Sequence, residues 1–362
     1  MKDIELIKTK QHYEILDGLR GVAAISVVIF HFLEWAYDHP SKNLFAHSYL
    51  AVDFFFCLSG FVIAYAYDDR IEKMGVIEFF KSRLIRLHPL VIIGSILGLI
   101  GYFLIPYGDI TNRSVSELLL LFVCSLLLIP LPIMNERWGN NFGLNAPAWS
   151  LFWEYIANII YSLILWRLSR RILLLLTLIA GILLAYVSYS SYSIMGGWDG
   201  ITFWHGCARV SYSFLAGILV YRFKWIIPSK LGFLGLTLLL IPAFLYPFNP
   251  EWNYLTEPHI VLFYFPFLIA LGAGVVTSPK TKKICVFLGN ISYPLYMTHY
   301  FAIWIFATYQ NIYKFSGFSL FVVVSLGTLV LIGFAYLTMT YIDVPVRNYL
   351  TKKRKSGLSQ KQ

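Results

Sequence analysis

The chain is expected to fold as an all-α, polytopic integral membrane protein of about ten transmembrane helices plus one re-entrant segment. Three observations predict this. Of its 362 residues 58% are hydrophobic and only 13% charged, with a mean hydropathy of +0.66. Apolar stretches of about 20 residues, the length that crosses a bilayer, recur from end to end. With both termini placed in the cytoplasm, 24 of the 29 lysines and arginines fall on that side, as the positive-inside rule requires.

The first span is read at 15–36. About 17 mostly polar residues precede it without a small-residue cleavage site behind a short apolar core, so this helix is expected to be retained. Further spans are read at 49–67, 89–106, 148–166, 172–189, 201–221, 231–247, 259–277, 284–307 and 318–341. The stretch 117–134 is also apolar. As an eleventh crossing it would carry Arg167, Arg170, Arg171 and the RKSG tail to the outer side, so it is expected to enter from outside and turn back near Ile129-Pro130-Leu131-Pro132. Non-helical backbone at that depth is tolerated beside protein or a watery cavity, which points to an outward cavity. Residues 1–348 then form one membrane-embedded domain and 349–362 a basic cytoplasmic tail, with no soluble domain attached.

The formal charge of +10 follows from this topology, and nucleic acid is not expected as a partner. Cys57, Cys124, Cys207 and Cys285 lie in or beside apolar stretches with no metal-binding spacing, so they are read as packing residues and no metal is expected.

Titratable side chains at membrane depth are costly and face the bundle interior. In the outer half the spans place His31, Glu34, Asp53, Glu154, His205, Arg209 and His299; the cytoplasmic half carries Asp17, Arg20, Arg83, Arg86, His88, Asp343 and Arg347. Two polar layers suggest a passage in which one partner arrives from each face. Arg20 and His31, in LDGLRGVAAISVVIFHF, are eleven positions apart, almost three helical turns, and so share one face roughly 16 Å apart. Glu34, one turn beyond His31, can orient the imidazole or raise its basicity. A histidine in a low-dielectric site tends to be neutral, as a general base must be; interhelical hydrogen bonding is its structural alternative.

Arg83 and Arg86, in KSRLIRLHPL, place two guanidiniums on one face of a short helix, suited to phosphate, although on spacing alone topogenic charge accounts for them slightly better. In PAWSLFWEY, Trp149 sits in the interfacial belt and Glu154 one turn deeper, where it needs a partner such as Arg209 or a substrate. Asp53 opens VDFFFCLSGF, and in ISYPLYMTHYF a Pro294 kink precedes His299, serving gating or packing.

Taken in order, LDGLRGVAAISVVIFHF, DFFFCLSGFVIAY, RLIRLHPL, PAWSLFWEY, ISYPLYMTH and DVPVR resemble the acyltransferase-3 family, whose members move acyl groups onto extracytoplasmic sugars; the pieces span 15–347. The resemblance implies ten helices in the bacterial cytoplasmic (inner) membrane with both termini cytoplasmic. It implies an acyl-CoA donor, acetyl-CoA by default, and a hydroxyl on an exported or lipid-linked carbohydrate as acceptor. Arg20 and His31 become the essential pair, with His31 the catalytic residue; Glu154, the acidic residue of W-S-L-x-x-E, joins them as a catalytic candidate, and Arg20, Arg83 and Arg86 are the coenzyme A phosphate contacts. Asp53, Trp149, Glu154, Arg209 and His299 are the candidate substrate contacts. Leu87-His88-Pro89 departs from the family's arginine-rich run into proline. The acyl group, the glycan, direct transfer against an acyl-histidine, and oligomeric state, a homodimer among the options, stay open.

Buried histidines, carboxylates and a broken segment also suit a proton-coupled secondary transporter of a sugar or acyl compound. Against it, no inverted repeat is visible, and a carrier does not require phosphate-type arginines on one face. In a non-catalytic scaffold the same groups would be interhelical glue.

Overall fold

The computed structural model describes residues 12–105 and 113–359, the last three by backbone alone. The polar lead 1–11 and the end of the basic tail, 360–362, lie outside the described residues. The regular secondary structure of the described residues is helical, with two isolated β-bridges and no strand. The helices are α1 Glu14–Ala36, α2 Ala51–Tyr67, α3 Ile71–Met74, α4 Val76–Leu104, α5 Val115–Leu126, α6 Ala148–Leu163, α7 Arg170–Ser191, α8 Phe203–Arg222, α9 Gly232–Leu240, α10 Pro242–Leu245, α11 Asn253–His259, α12 Phe265–Ala273, α13 Pro279–Thr298, α14 Tyr300–Tyr313, α15 Gly317–Thr338 and α16 Val344–Ser359.

Among the described residues six helical stretches are long and apolar enough to cross a membrane: Glu14–Ala36, Ser48–Tyr67, Val76–Leu104, Arg170–Ser191, Asn253–Ala273 and Gly317–Ser356. They carry leucine and isoleucine on their outer faces, as at Ile182 (70% exposed) on α7 and Leu329 (64%) on α15. Exposed apolar surface of this extent belongs against lipid. Helix is what lipid demands, because every peptide group there must be bonded within the segment.

Several boundaries differ from the sequence reading. The third span begins at Val76 rather than 89: Arg83, Arg86 and Pro89 all lie within one 29-residue helix. Pro89 is tolerated inside it, and beside it the hydroxyl of Tyr293 donates to the Leu87 carbonyl at 2.6 Å. The seventh span breaks before Pro242, the ninth at His299, and the eighth contains a π-turn at Ile260–Tyr264. A second π-turn, Met339–Asp343, joins α15 to α16.

Two parallel helix pairs frame the interior. α1 lies along α13, where a Cβ on Gly21 would sit 2.5 Å from that of Leu288 and one on Gly289 2.5 Å from that of Asp17. α2 lies along α8 with Gly60 against the Phe214 carbonyl and Gly217 against that of Cys57. Small residues let these backbones meet. The end of the bundle at which α1 begins is termed the near end, and the end at which it finishes the far end.

After α4 the chain doubles back. Ser114 starts α5 with a capping box to Glu117, and α5 runs only 12 residues, about 18 Å. Its Ser125 hydroxyl meets that of Ser95, well inside α4, at 2.7 Å. The helix stops at Leu127, Leu128 takes φ 55°, and the chain returns without regular structure, with the Leu131 N–H on the Asn141 carbonyl at 2.8 Å. The reversal therefore begins just before the expected Ile129-Pro130-Leu131-Pro132.

Candidate active site

α1 and α13 together position both ends of the site. At the near end Arg20 donates from Nε to the Ser292 hydroxyl and from Nη2 to the Gly289 carbonyl, both at 2.8 Å, and meets Asp17 at 3.1 Å. It lines a cavity of about 390 Å³ shared with Arg70, Arg83, Arg86 and Arg347 and with the carboxylates of Glu154 and Asp343. Asp343 is held by Arg347 at 2.7 Å. Arg86 is exposed into the cavity and has no hydrogen bond or ion pair among the described residues. Five guanidiniums facing two carboxylates make this an anion-binding space.

Glu154 accepts from Arg83 Nη2 at 3.1 Å and from the Ser59 hydroxyl at 2.9 Å. This corrects two expectations. Glu154 lies level with Ser59, six residues and roughly 9 Å along α2 from Asp53, and its partner is Arg83 rather than Arg209. The loop ahead of α6 sinks into the bundle, with Leu144 against Gly98 and Asn145 against Gly94, so α6 starts deep and carries Glu154 inward. Gly94 and Gly98 form a G-x-x-x-G pair, the sequence signal that would have announced that approach.

Asp53 and Arg209 are fully buried and face each other. Arg209 donates to both Asp53 oxygens at 2.6–3.2 Å and to the carbonyls of Tyr49 (2.9 Å) and Gly196 (3.0 Å). Trp149 lies under its guanidinium, 5.0 Å to the ring centroid. These three expected substrate contacts thus close on one another, and none lines the arginine-rich cavity.

At the far end of α1, His31 Nδ1 sits 2.6 Å from Glu34 Oε1. A carboxylate at Nδ1 fixes the proton there and leaves Nε2 as the basic nitrogen. His299, at the joint between α13 and α14, stacks on His31 with centroids 5.3 Å apart. Its Nδ1 lies against the carbonyls of Leu295 and Tyr296, and its buried Nε2 has no partner. Tyr300 packs edge-on to His31 at 4.8 Å and donates to Glu34 at 3.4 Å. Tyr296 joins the two ends: it lines the cavity, bonds the Ser150 hydroxyl at 2.8 Å and lies 6.1 Å from His299, ring to ring.

Four residues that the sequence reading did not single out complete the far end. Trp138 stacks on Trp35 at 4.7 Å, Trp35 packs against Trp304 at 5.4 Å, and Arg137 lies 4.6 Å over the Trp304 ring. Arg137 belongs to a loop far from α1 in sequence, and no periodicity points to its burial.

The fold and this site define a class: a helical membrane protein with an anion-binding cavity at one end of a helix and a carboxylate-oriented histidine at the other, fit for group transfer. The chain belongs to the acyltransferase-3 family, whose acyltransferase-domain model matches residues 13–339. It is similar to O-acetyltransferase OatA of Staphylococcus aureus, 24% identical over 96% of this chain and 59% of that protein. It is also similar to protein 2 in the picA locus of Rhizobium radiobacter, 37% identical over 42% of this chain and 82% of that protein. Acyltransferase MdmB of Streptomyces mycarofaciens is 32% identical over 43% of this chain and 40% of its own. The chain thus spans less than two thirds of OatA and of MdmB. No solved structure matches it.

Proposed function

We propose that this enzyme is a membrane O-acyltransferase that carries an acyl group, acetyl by default, from acyl-CoA on the cytoplasmic side to a carbohydrate hydroxyl outside. In this reading ten spans cross a bacterial inner membrane with both termini in the cytoplasm, 117–134 is re-entrant, and the near end is cytoplasmic. The observation that carries it is the placing of Arg20 in the arginine-lined cavity and of His31, with Glu34 behind it, eleven residues further along the same face of α1.

Arg20, Arg83 and Arg86 hold the pyrophosphate and 3′-phosphate of coenzyme A, and Glu154 sets the Arg83 fork. The pantetheine arm extends past Tyr296 towards His299 and His31. His31 Nε2 takes the proton of the sugar hydroxyl as its oxygen attacks the thioester carbonyl; the C–O bond forms, the C–S bond breaks, and the imidazolium returns the proton to the thiolate. A positioned base of this kind contributes about 100- to 10,000-fold. Glu34 stabilises the imidazolium in transit, as a carboxylate behind a catalytic imidazole does. Acylation of His31 itself would split the same transfer into two steps.

Acetyl-CoA turnover by protein in nanodiscs, wild type against His31→Ala at matched folded concentration, tests the reading. Release of free coenzyme A by wild type and a loss of at least 100-fold in the variant are expected. Equal turnover would remove His31 from the chemistry, and transport of labelled solute without turnover would replace the enzyme by a carrier.

A further inference from the structure

Arg137 is 1% exposed and has no carboxylate within ion-pair distance among the described residues. Its Nη1 donates to the Gly143 carbonyl, but its Nε and Nη2 have no partner, and neither has the indole Nε1 of Trp304 beneath it. The adjacent carboxylate, Glu136, does not serve it: Arg113 grips both Glu136 oxygens at 2.7 Å. A guanidinium buried with free donors is costly unless an anion completes it.

The position of these donors says whose anion. Trp304 packs against Tyr300 at 5.2 Å, and Tyr300 against His31 at 4.8 Å, so Arg137 belongs to the far end of the site. On the open side Trp138, 58% exposed and in the left-handed region at φ 53°, lies face to face with Trp35, planes 15° apart. Flat indole faces beside a forked cation suit a pyranose ring bearing an oxyanion.

We propose that Arg137, Trp304 and the Trp35–Trp138 pair form an acceptor subsite for a carbohydrate that carries a carboxylate or phosphate. The oxyanion takes N–H groups from the two free Arg137 nitrogens, Nε and Nη2, and the Trp304 N–H, while the sugar stacks on the Trp35–Trp138 pair. The proposal deepens the acyl-transfer reading, since it rests on the far end being the acceptor side.

The test is equilibrium binding to the full chain in nanodiscs, with methyl glucuronide, glucose 6-phosphate and methyl glucoside as probes, for wild type and Arg137→Gln. Wild type is expected to bind at least one charged probe tenfold or more tightly than the neutral glycoside, and the better one tells carboxylate from phosphate. In Arg137→Gln the preference falls to within twofold. Should that variant aggregate, Trp304→Phe, which keeps the ring and loses the N–H, is expected to weaken the charged probe severalfold and leave the neutral one unchanged. Equal or undetectable binding of all three probes to wild type, or a preference that survives in the folded variants, would overturn the proposal. Acetyl transfer measured on the same samples separates the two readings: charge preference without transfer sinks acyl transfer and leaves a binding site for charged sugars with no acceptor role, and transfer without charge preference sinks only the subsite.

Discussion

Arg209 and Arg86 are both arginines inside one helical bundle, and the molecule uses them in opposite ways. Arg209 spends its donors on Asp53 and on backbone carbonyls of two loops, with Trp149 beneath it and no exposure. Arg86 turns into a cavity beside Arg20 and Arg83 and bonds to nothing among the described residues. What separates the two is the fate of their donors. A closed pair ties helices together, whereas an open guanidinium next to others of the same sign is an unfilled demand for anions.

The sharpest way to break this contrast is Asp53→Ala. It strands Arg209 as a lone buried charge, at a cost of about 3–5 kcal/mol, and the expected result is a large loss of monodisperse protein by size-exclusion chromatography. Replacing both residues by apolar ones should recover much of it. If Asp53→Ala is instead abundant, folded and inactive, the pair belongs to the chemistry and the contrast fails.

Arg86→Ala should do the reverse. With no protein partner to strand, it is expected to fold like wild type, while KM for acyl-CoA rises about 10- to 100-fold, the loss of a charge-assisted hydrogen bond of ~1.5–3 kcal/mol. The salt dependence of KM should weaken in parallel, since one exposed charge fewer meets the phosphates. An unchanged KM would mark Arg86 as a topogenic charge only.

Glu154→Gln stands between these cases, because Glu154 both lines the cavity and holds Arg83. Freeing the Arg83 fork while removing a negative charge from the cavity is expected to change KM by less than Arg86→Ala and to lower kcat through misplaced donor. A double-mutant cycle with Arg83→Gln measures the pair: a coupling of about 1 kcal/mol or more is expected, and additivity would mean the two act separately.

How much of this was legible in the sequence depends on the range of each interaction. The helices were, because apolar length is local. Arg20 and His31 were, because helical period alone puts them on one face. The partners of Glu154 and Arg209 were not: Arg83 is 71 residues from the one and Asp53 156 from the other, and which pairs form depends on how deep α6 begins. That depth is set by a loop seated on Gly94 and Gly98, a tertiary fact whose only trace in the sequence is the glycine spacing. The start of α4 was misplaced because Pro89 reads locally as a boundary, while the surrounding helices let the helix run through it. Arg137 had no local signal, since the rings around it, Tyr102 and Trp304, come from α4 and α14.

The smallest expected effect concerns the hydroxyl contact between Ser95 and Ser125, where the reversing α5 meets α4. Both hydroxyls are buried, so Ser125→Ala leaves one of them unpaired and should cost ~0.5–1.5 kcal/mol, read as a modest fall in Tm of the detergent-solubilised protein. Ser95→Ala with Ser125→Ala removes both polar groups and is expected to be closer to wild type than either single variant. α5 and the loop after it place Leu144 and Asn145 against α4 and so set the depth of Glu154. The single variant should therefore also shift KM for acyl-CoA slightly, by less than Glu154→Gln does. A lower Tm with KM untouched would show that the depth of α6 is fixed by Gly94 and Gly98 alone, and that the reversal serves only to return the chain.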